Sequence, residues 1–425
     1  MYCKNCGARL EGEGKTCEAC GFTRGNGLSY CPACGKKTEK APLGEGINDA
    51  LETFLAIGKR FGFKTKNLDG YAGCIEAGGG DKLVGIITHT DTVKAGDNWT
   101  YPPFKCTVSK NGVYGRGVTD DKGPALLSLY AMREAEKNGF LKDKRVRLII
   151  GGDEESGIWR CIKRYKETET MPDIAFSPDA EYPVVFGEKG LLKVRIFGIE
   201  KAIAPDFRFE GGSVINIVPD KACAFIDGKE MQETGKAAHG SLPEKGENAI
   251  IKLSEKISAL YPDSTFSKLC SLKDAKSLKI DLKDEYTSLS INPAIIRADS
   301  HECSLSYDIR YPITADGEKV IKSIKSAAEE KGLLVEILSH DAPLYVPLDS
   351  HLITTLSSVY KEITDDGSLP VAIGGGTYAK AFSNCAAFGV MLPDDPDTMH
   401  APDEFWSFNS INTNFDIILK AIERL

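Results

Sequence analysis

The alternation of apolar and polar residues predicts a mixed α/β chain. Over residues 46–62, apolar side chains recur at steps of three and four, which is the pattern of an amphipathic helix. Short apolar runs at 82–88, 146–150 and 173–176 have the length and composition of buried strands, and a further strand-like run covers 388–392. Strands that alternate with helical segments indicate an open sheet covered by helices.

Residues from about 191 to 343 follow a different pattern. Short β runs at 191–197 and 304–309 stand beside helical stretches at 248–260 and 318–331. This arrangement is typical of an α+β segment, and we expect it to interrupt the rest of the chain as a separate domain.

Three of the predicted strands end in residues of the types that commonly bind metals. The ends read His89-Thr90-Asp91, Gly151-Gly152-Asp153-Glu154-Glu155 and Ser177-Pro178-Asp179. In open α/β sheets, ligands bind just beyond the carboxyl ends of the strands, so we expect the three clusters to converge on one crevice.

Two further candidates lie elsewhere in the chain. Asp120 precedes a helical pattern that has Pro124 in its first turn, and His400 follows the strand-like run at 388–392. Each residue alone could be an ordinary surface or capping side chain. Together, two imidazoles and several carboxylates in one cleft would leave negative charge uncompensated unless cations were bound, so the set predicts two metals.

Composition and charge narrow the classes of function. The 425 residues, 42% of them apolar, are enough for two or three domains. A net charge of −8 and the lack of a basic block make a nucleic-acid partner unexpected. The first residues lack the apolar stretch of a secretory signal, and no run approaches the ~20 apolar residues of a membrane span. We therefore expect a cytoplasmic protein with no membrane partner.

Six of the 13 cysteines fall in the first 34 residues, as three Cys-x-x-Cys-Gly motifs. They are Cys3, Cys6, Cys17, Cys20, Cys31 and Cys34. Any two such motifs can form a closed four-thiolate zinc site, so we predict a small zinc ribbon over residues 1–40 with one structural Zn²⁺. Disulfides are disfavoured in the cytoplasm, and a redox pair would need a βαβ context that this stretch lacks.

A closed zinc site has no open coordination position, so the ribbon is expected to serve docking or assembly rather than chemistry. We pair the first two motifs. The third is left as a free dithiol or as half of a site shared with a second copy of the chain, so a protein partner and self-association both stay open.

The chain from about residue 41 onward resembles a known family in many motifs, which occur in the family's order and spacing. The motifs are APLGEG (41–46), GFKTKN (62–67), HTD (89–91), GRGVTDDKGP (115–124), GDEE (152–155), SPDAE (177–181), GEKG (187–190), NIVP (216–219), GKAAHG (235–240), DIRYP (308–312) and GGGTY (374–378). They resemble the dipeptidase V (Xaa-His dipeptidase, carnosinase-like) branch of the di-zinc aminoacylase and carboxypeptidase metallopeptidases.

The resemblance implies a catalytic domain of the two-layer type interrupted by an α+β lid domain. The implied arrangement is the zinc ribbon at 1–40, a first catalytic segment at 41–190, the lid at 191–343 and a second catalytic segment at 344–425. Two departures stand out: Lys94 replaces a proline of the family, and the cysteine motifs occupy the place of an N-terminal helical segment.

The resemblance also implies roles for individual residues. His89 and Asp179 would hold one zinc, Glu155 and His400 the other, and Asp120 would bridge them; Glu154 would be the general base, and Asp91 would orient the imidazole of His89. The peptide bond between Asp120 and Asp121 is expected to be cis.

In the lid, His239 would supply a hydrogen bond to the oxyanion, and Arg310 would bind the terminal carboxylate of the substrate with Asn216 nearby. Gly375, Gly376 and Thr377 would contact the peptide main chain. A loop histidine and a structural salt bridge stay open as alternative interpretations of His239 and Arg310.

The predicted function is a metal-dependent dipeptidase. It would hydrolyse small unblocked dipeptides by a metal-bridged hydroxide with Glu154 as base, using two Zn²⁺, for which Mn²⁺ or Co²⁺ could substitute. One alternative is an N-acyl amino acid amidohydrolase, a deacetylase or desuccinylase, of the same superfamily. The other is a non-catalytic protein that docks through the zinc ribbon. The SPDAE context of Asp179 favours a peptidase, and the base beside two metals argues against a docking protein.

Overall fold

The computed structural model describes residues 41–200 and 203–425, which form a mixed α/β fold of two compact units. The first unit contains residues 41–186, 346–371 and 377–425, and the second contains residues 187–345 and 372–376. The predicted zinc ribbon lies outside the described residues, so it stays a prediction.

The helices of the described residues follow the chain in this order: α1 (Glu45–Arg60), α2 (Lys122–Lys137), α3 (Arg160–Thr168), α4 (Ala249–Leu260), α5 (Thr265–Cys270), α6 (Gly317–Glu329), α7 (His351–Thr364) and α8 (Phe408–Arg424). Short 3-10 helices cover Pro243–Lys245 and Tyr378–Ala381. Among the helices of the described residues, none combines the length and apolar composition that crossing a membrane requires.

The strands are β1 (Lys64–Leu68), β2 (Ala72–Gly78), β3 (Lys82–His89), β4 (Thr107–Val108), β5 (Gly112–Tyr114), β6 (Lys144–Gly151), β7 (Ile174–Ser177), β8 (Ala180–Glu181), β9 (Val185–Glu188), β10 (Gly190–Ile199), β11 (Arg208–Gly211), β12 (Lys221–Ile226), β13 (Lys229–Thr234), β14 (Ser290–Asp299), β15 (Glu302–Tyr311), β16 (Leu334–Asp341), β17 (Leu344–Tyr345), β18 (Val371–Ile373), β19 (Cys385–Ala387), β20 (Val390–Met391) and β21 (Phe405–Ser407).

The main sheet of the first unit runs in the order β1-β2-β6-β3-β7-β19-β9. Strand β3 pairs in parallel with both β6 and β7, and β19 pairs in parallel with β7. All residues of β3 after Lys82 are buried, as expected for a central strand covered on both faces. The predicted strands at 82–88, 146–150 and 173–176 are confirmed, and their carboxyl ends lie at one edge of the sheet.

Helix α1 confirms the amphipathic pattern, and it buries Leu51, Phe54, Leu55 and Gly58 on one face. Helix α2 starts directly after Asp121, with the buried Pro124 in its first turn, where a missing N–H costs no hydrogen bond. It packs against β3, β6 and α8. This packing fixes the position of the loop that precedes it.

The strand-like run predicted at 388–392 is confirmed only in part, because no single strand covers it. The chain instead forms β19, leaves the extended conformation at Gly389, which has φ +76°, and resumes as β20 paired with β8. A Cβ atom at Gly389 would lie 2.3 Å from the ring of Tyr182. Only glycine fits this backbone, so an apolar run that includes it does not extend as one strand.

The second unit is an antiparallel sheet in the order β13-β12-β11-β14-β15-β10-β16. Burial alternates along β10, so one face of the sheet enters the core. Helices α4, α5 and α6 pack against this sheet. The α+β character predicted for this region is therefore confirmed, whereas its action as a lid and the domain boundaries stay predictions.

Candidate metal centre

The first unit brings the candidate metal ligands into two groups of three. Within each group, the ligand atoms all lie within 4.8 Å of one another. The groups are His89, Glu154 and Asp179, and Asp120, Glu155 and His400. The strand ends of β3, β6 and β7 supply His89, the two glutamates and Asp179, and the loop before α2 supplies Asp120. His400 comes from the loop before β21.

The carboxylate of Asp120 lies between the two imidazoles. Its Oδ1 atom is 2.9 Å from Nε2 of His89, and its Oδ2 atom is 2.7 Å from Nε2 of His400. The same ring nitrogens also face a second carboxylate each: Oδ2 of Asp179 is 3.6 Å from His89, and Oε1 of Glu155 is 3.4 Å from His400. One carboxylate that faces two imidazoles is an arrangement suited to bridging two cations.

The Nε2 atom of His89 supports the presence of a metal. His89 is fully buried, and this nitrogen makes no hydrogen bond of acceptable geometry to any described residue, although the Asp120 carboxylate is close. A buried ring nitrogen without a hydrogen bond is costly unless it binds something else. Imidazole and carboxylate donors are ordinary ligands of zinc, so the residues present fit a metal ion.

The pKa shifts within this cluster also support the binding of a metal. Burial, with the neighbouring Asp120 carboxylate, raises the pKa of Asp179 to about 6. Burial and the Asp179 carboxylate raise the pKa of Glu154 well above its usual range. Hydrogen bonds with Asp120 and Glu155 raise the pKa of His400 to about 10. Carboxylates buried this close to one another favour binding of cations, which would relieve their repulsion.

Asp91 connects the ends of β3 and β6. Its two carboxylate oxygens accept the backbone N–H groups of Glu154 and Glu155 at 3.1 and 3.0 Å. Nδ1 of His89 lies 3.0 Å from the main-chain oxygen of Asp91 and 3.4 Å from its Oδ1 atom. The imidazole of His89 therefore has its nearest partner in the backbone of Asp91. The carboxylate of Asp91 instead binds the backbone of the two glutamates.

Sequence reasoning missed two buried groups around His89. Asp121 is fully buried, and its Oδ2 atom accepts the backbone N–H of His89 at 2.9 Å. Tyr378 packs edge-on to the His89 ring, with ring centroids 6.1 Å apart, and contacts Trp159 in the same way. The indole N–H of Trp159 donates to the main-chain oxygen of Glu154 at 3.2 Å. Asp121 and Tyr378 both lie inside the motifs of the family resemblance, which were the available signal.

The peptide bond between Asp120 and Asp121 is cis, as the resemblance implied.

Glu404, four residues after His400, was also missed. Its carboxylate is fully buried and binds the loop that carries Asp120. Nothing in the sequence marks this glutamate except its proximity to His400.

The second unit groups several of the other predicted residues. His239 is exposed, and the backbone N–H of Ser241 donates to its Nδ1 atom at 3.3 Å. The neighbouring Gly240 donates to the main-chain oxygen of Asn216 at 2.7 Å. Burial, and then the charge of Arg310, lower the pKa of His239. The ring is therefore neutral at neutral pH.

Arg310 is buried and already has partners. Its guanidinium donates to Oδ2 of Asp308 at 3.1 Å and to the main-chain oxygen of Gly374 at 2.6 Å. Gly375 and Gly376 follow in the second unit, whereas Thr377 belongs to the first. The hydroxyl of Thr377 accepts the backbone N–H of Ala379, so it caps the short helix at 378–381.

Comparison with known proteins identifies the family. Residues 85–424 match the family described as Peptidase family M20/M25/M40. The chain belongs to this family. It is therefore an enzyme of the metallopeptidase class. One relative by sequence is the Bacillus subtilis (strain 168) protein named "Putative dipeptidase YtjP", with 33% identity over 431 residues, which covers 90% of this chain and 92% of the relative.

Solved structures share the fold. The aminoacylhistidine dipeptidase of Vibrio alginolyticus matches with a TM-score of 0.57 and 15% identity, covering 91% of this chain and 93% of that one. The YXEP protein of Bacillus subtilis, described as a dinuclear metal binding peptidase of the M20 family, matches with a TM-score of 0.55 and 10% identity, covering 91% and 94%. At these identities the likeness establishes the fold.

Proposed function

We propose that this protein is a two-metal dipeptidase of the dipeptidase V type, acting on small unblocked dipeptides. The observation that carries the proposal is the Asp120 carboxylate, which faces His89 at 2.9 Å and His400 at 2.7 Å between two groups of candidate ligands. The relative named as a dipeptidase supports this substrate class.

His89 and Asp179 would hold one metal, Glu155 and His400 the other, and Asp120 both. When bound, the pair would lower the pKa of an attacking water from about 16 towards about 7 and polarise the scissile carbonyl. Imidazole and carboxylate ligands suit Zn²⁺, and Mn²⁺ or Co²⁺ also fit them.

Glu154 would transfer the proton. It lies in the group with His89 and Asp179, where it can accept a proton from the attacking water and return it to the leaving amine. Burial raises the pKa of Glu154, and a raised pKa makes a carboxyl better able to hold and release a proton near neutral pH. Asp91 and Trp159 fix the backbone on either side of this side chain.

His239 would donate a hydrogen bond to the developing oxyanion. Because a backbone N–H can only donate, the contact from Ser241 makes Nδ1 of His239 an acceptor, and the neutral ring then carries its proton on Nε2. That N–H is the donor such a role requires. Arg310 would bind the terminal carboxylate of the substrate while its bond to Gly374 supports the glycine segment.

The alternative is an amidohydrolase for N-acyl amino acids, and a substrate panel separates the two. Purified protein loaded with Zn²⁺ is assayed with Xaa-His dipeptides, other dipeptides, and N-acetyl and N-succinyl amino acids, each with and without a chelator. We expect hydrolysis of dipeptides that the chelator abolishes, with Xaa-His members among the good substrates. Turnover confined to N-acyl amino acids, or turnover that survives metal removal, would overturn the proposal. Docking through the zinc ribbon and a cytoplasmic location stay predictions.

A further inference from the structure

The carboxylate of Glu404 is fully buried and saturated with donors from one loop. Oε1 accepts the backbone N–H and the hydroxyl of Thr119, both at 2.8 Å, and the backbone N–H of Asp120 at 3.2 Å. Oε2 accepts the backbone N–H of Gly117 at 2.9 Å and Nη1 of Arg116 at 2.8 Å. A carboxylate bound in this way has no oxygen left for a metal or a substrate.

The same loop also donates hydrogen bonds to main-chain oxygens of the segment that carries His400. Nη2 of Arg116 donates to the main-chain oxygen of Ala401 at 3.1 Å, and the backbone N–H of Gly115 donates to the main-chain oxygen of Glu404 at 3.0 Å. Two segments almost 300 residues apart in the chain are thereby joined. Each segment carries one candidate ligand, Asp120 or His400.

Strand pairing sets the register of this connection. Phe405 of β21 pairs with Tyr114 of β5, so Glu404 and Gly115 lie immediately beyond the end of the ladder. Beyond the ladder, the hydrogen bonds of the Glu404 carboxylate continue the connection between the two segments as far as Asp120. His400 itself has a left-handed backbone with φ 60°, a strained conformation for a non-glycine residue that persists only where its surroundings enforce it.

We propose that Glu404 is a positioning residue that fixes the distance between Asp120 and His400 and so sets the affinity for the metal in the group of Asp120, Glu155 and His400. This inference rests on the proposed two-metal function. In this proposal, Glu404 maintains the 2.7 Å contact between Asp120 and His400. Loss of a residue that orients metal ligands typically weakens metal affinity 10–100-fold.

The substitution Glu404→Gln tests this directly. A glutamine side chain has one accepting oxygen and one amide group, so whichever way it turns, N–H would face N–H either at Arg116 and Gly117 or at Thr119 and Asp120. Thr119→Val is the milder variant, because it removes only the hydroxyl donor and keeps the shape of the side chain. Thr119→Val serves as the test variant if Glu404→Gln fails to fold.

Glu76→Gln is the matched control. Glu76 of β2 also pairs with a buried arginine of the first unit, accepting from Nε of Arg147 at 2.8 Å on the neighbouring strand β6. It therefore reproduces the loss of a carboxylate from a buried arginine pair without touching either ligand loop. A general loss of stability would affect both variants alike.

The experiment titrates full-length, metal-stripped protein with Mn²⁺ and follows free and bound ion by electron paramagnetic resonance. Thiolates are poor ligands for Mn²⁺, so the cysteines of residues 1–40 do not enter the count. We expect wild type and Glu76→Gln to bind two Mn²⁺ with the signal of a coupled pair. We expect Glu404→Gln to keep the first ion within about threefold and to lose about 10–100-fold in affinity for the second.

Thr119→Val should weaken the second ion by about threefold. Glu404→Gln that binds both ions as tightly as wild type, or Glu76→Gln that loses the second ion equally, would overturn the positioning role while leaving the proposed function intact. Wild type that binds fewer than two Mn²⁺ would overturn the two-metal function, and the role of Glu404 with it.

Discussion

Replacing Glu154 by glutamine should make the metal-free protein more stable while nearly abolishing catalysis. Glutamine has almost the same shape but carries no charge and cannot accept a proton from water. The same substitution therefore tests both the electrostatic account of the cluster and the assignment of the base.

The structure gives the size of the stability effect. The ligand atoms of Glu154 and Asp179 lie within 4.8 Å of each other, and two unit charges at that distance repel by about 3 kcal/mol at an effective dielectric constant of about 20. Attraction to His89, which belongs to the same group, offsets part of this repulsion. We expect a net gain of about 1–2 kcal/mol in the free energy of unfolding at neutral pH, which is within the range that single stabilising substitutions commonly give.

The gain should depend on pH. The folded pKa of Glu154 is raised, so this group lowers stability as pH rises above its unfolded pKa of about 4.3 and has no effect below that value. The difference between variant and wild type should therefore be near zero around pH 4 and grow towards neutral pH. Denaturant unfolding with a chelator present, at several pH values, measures it.

The catalytic effect is measured on the metal-loaded proteins. A general base contributes about 10²–10⁴-fold to the rate, so kcat for dipeptide hydrolysis should fall by that factor while the count of bound metals stays unchanged. The control is Glu76→Gln. Glu76 pairs with Arg147 away from the metal ligands, so this variant should keep full turnover. Normal turnover by Glu154→Gln, or a variant that is less stable than wild type without metal at neutral pH, would refute the reasoning.

Two further predictions concern other regions of the chain. His239→Ala should lower kcat by about 10²–10³ while leaving metal content unchanged, because it removes an oxyanion donor and no ligand; steady-state kinetics with metal analysis measures both, and an unchanged kcat would leave His239 as an ordinary loop residue. Deleting residues 1–40 should leave kcat/KM for dipeptides unchanged if the cysteine motifs serve docking, and a large loss of turnover in the truncated protein would show that they support the catalytic unit.

Much of the first unit followed from local patterns in the sequence. Runs such as 82–88 are apolar throughout because β3 is buried on both faces, and metal-binding side chains at their ends pointed to one edge of the sheet. Helix α1 was equally readable, since its buried residues repeat with the helical period. The resemblance to a family then supplied roles that no local pattern could give.

What the sequence did not reveal depends on contacts between distant segments. The break at Gly389 follows from the ring of Tyr182, which lies against the backbone there. Glu404 is indistinguishable from a surface glutamate until the loop at 116–120 folds over it, and Asp121 until the N–H of His89 reaches it. Such residues bind main-chain groups, whose positions only the fold determines.

The central claim is that five side chains hold a pair of cations with Asp120 between them. A crystal structure of the Zn²⁺-loaded protein, with anomalous differences measured at the zinc absorption edge, tests it most directly. Besides any zinc held by the cysteines of residues 1–40, the account predicts two peaks about 3.5–4 Å apart, one beside His89 and Asp179 and one beside Glu155 and His400, with the Asp120 carboxylate touching both. A single peak among these five side chains, or two peaks there that do not share Asp120, would contradict it.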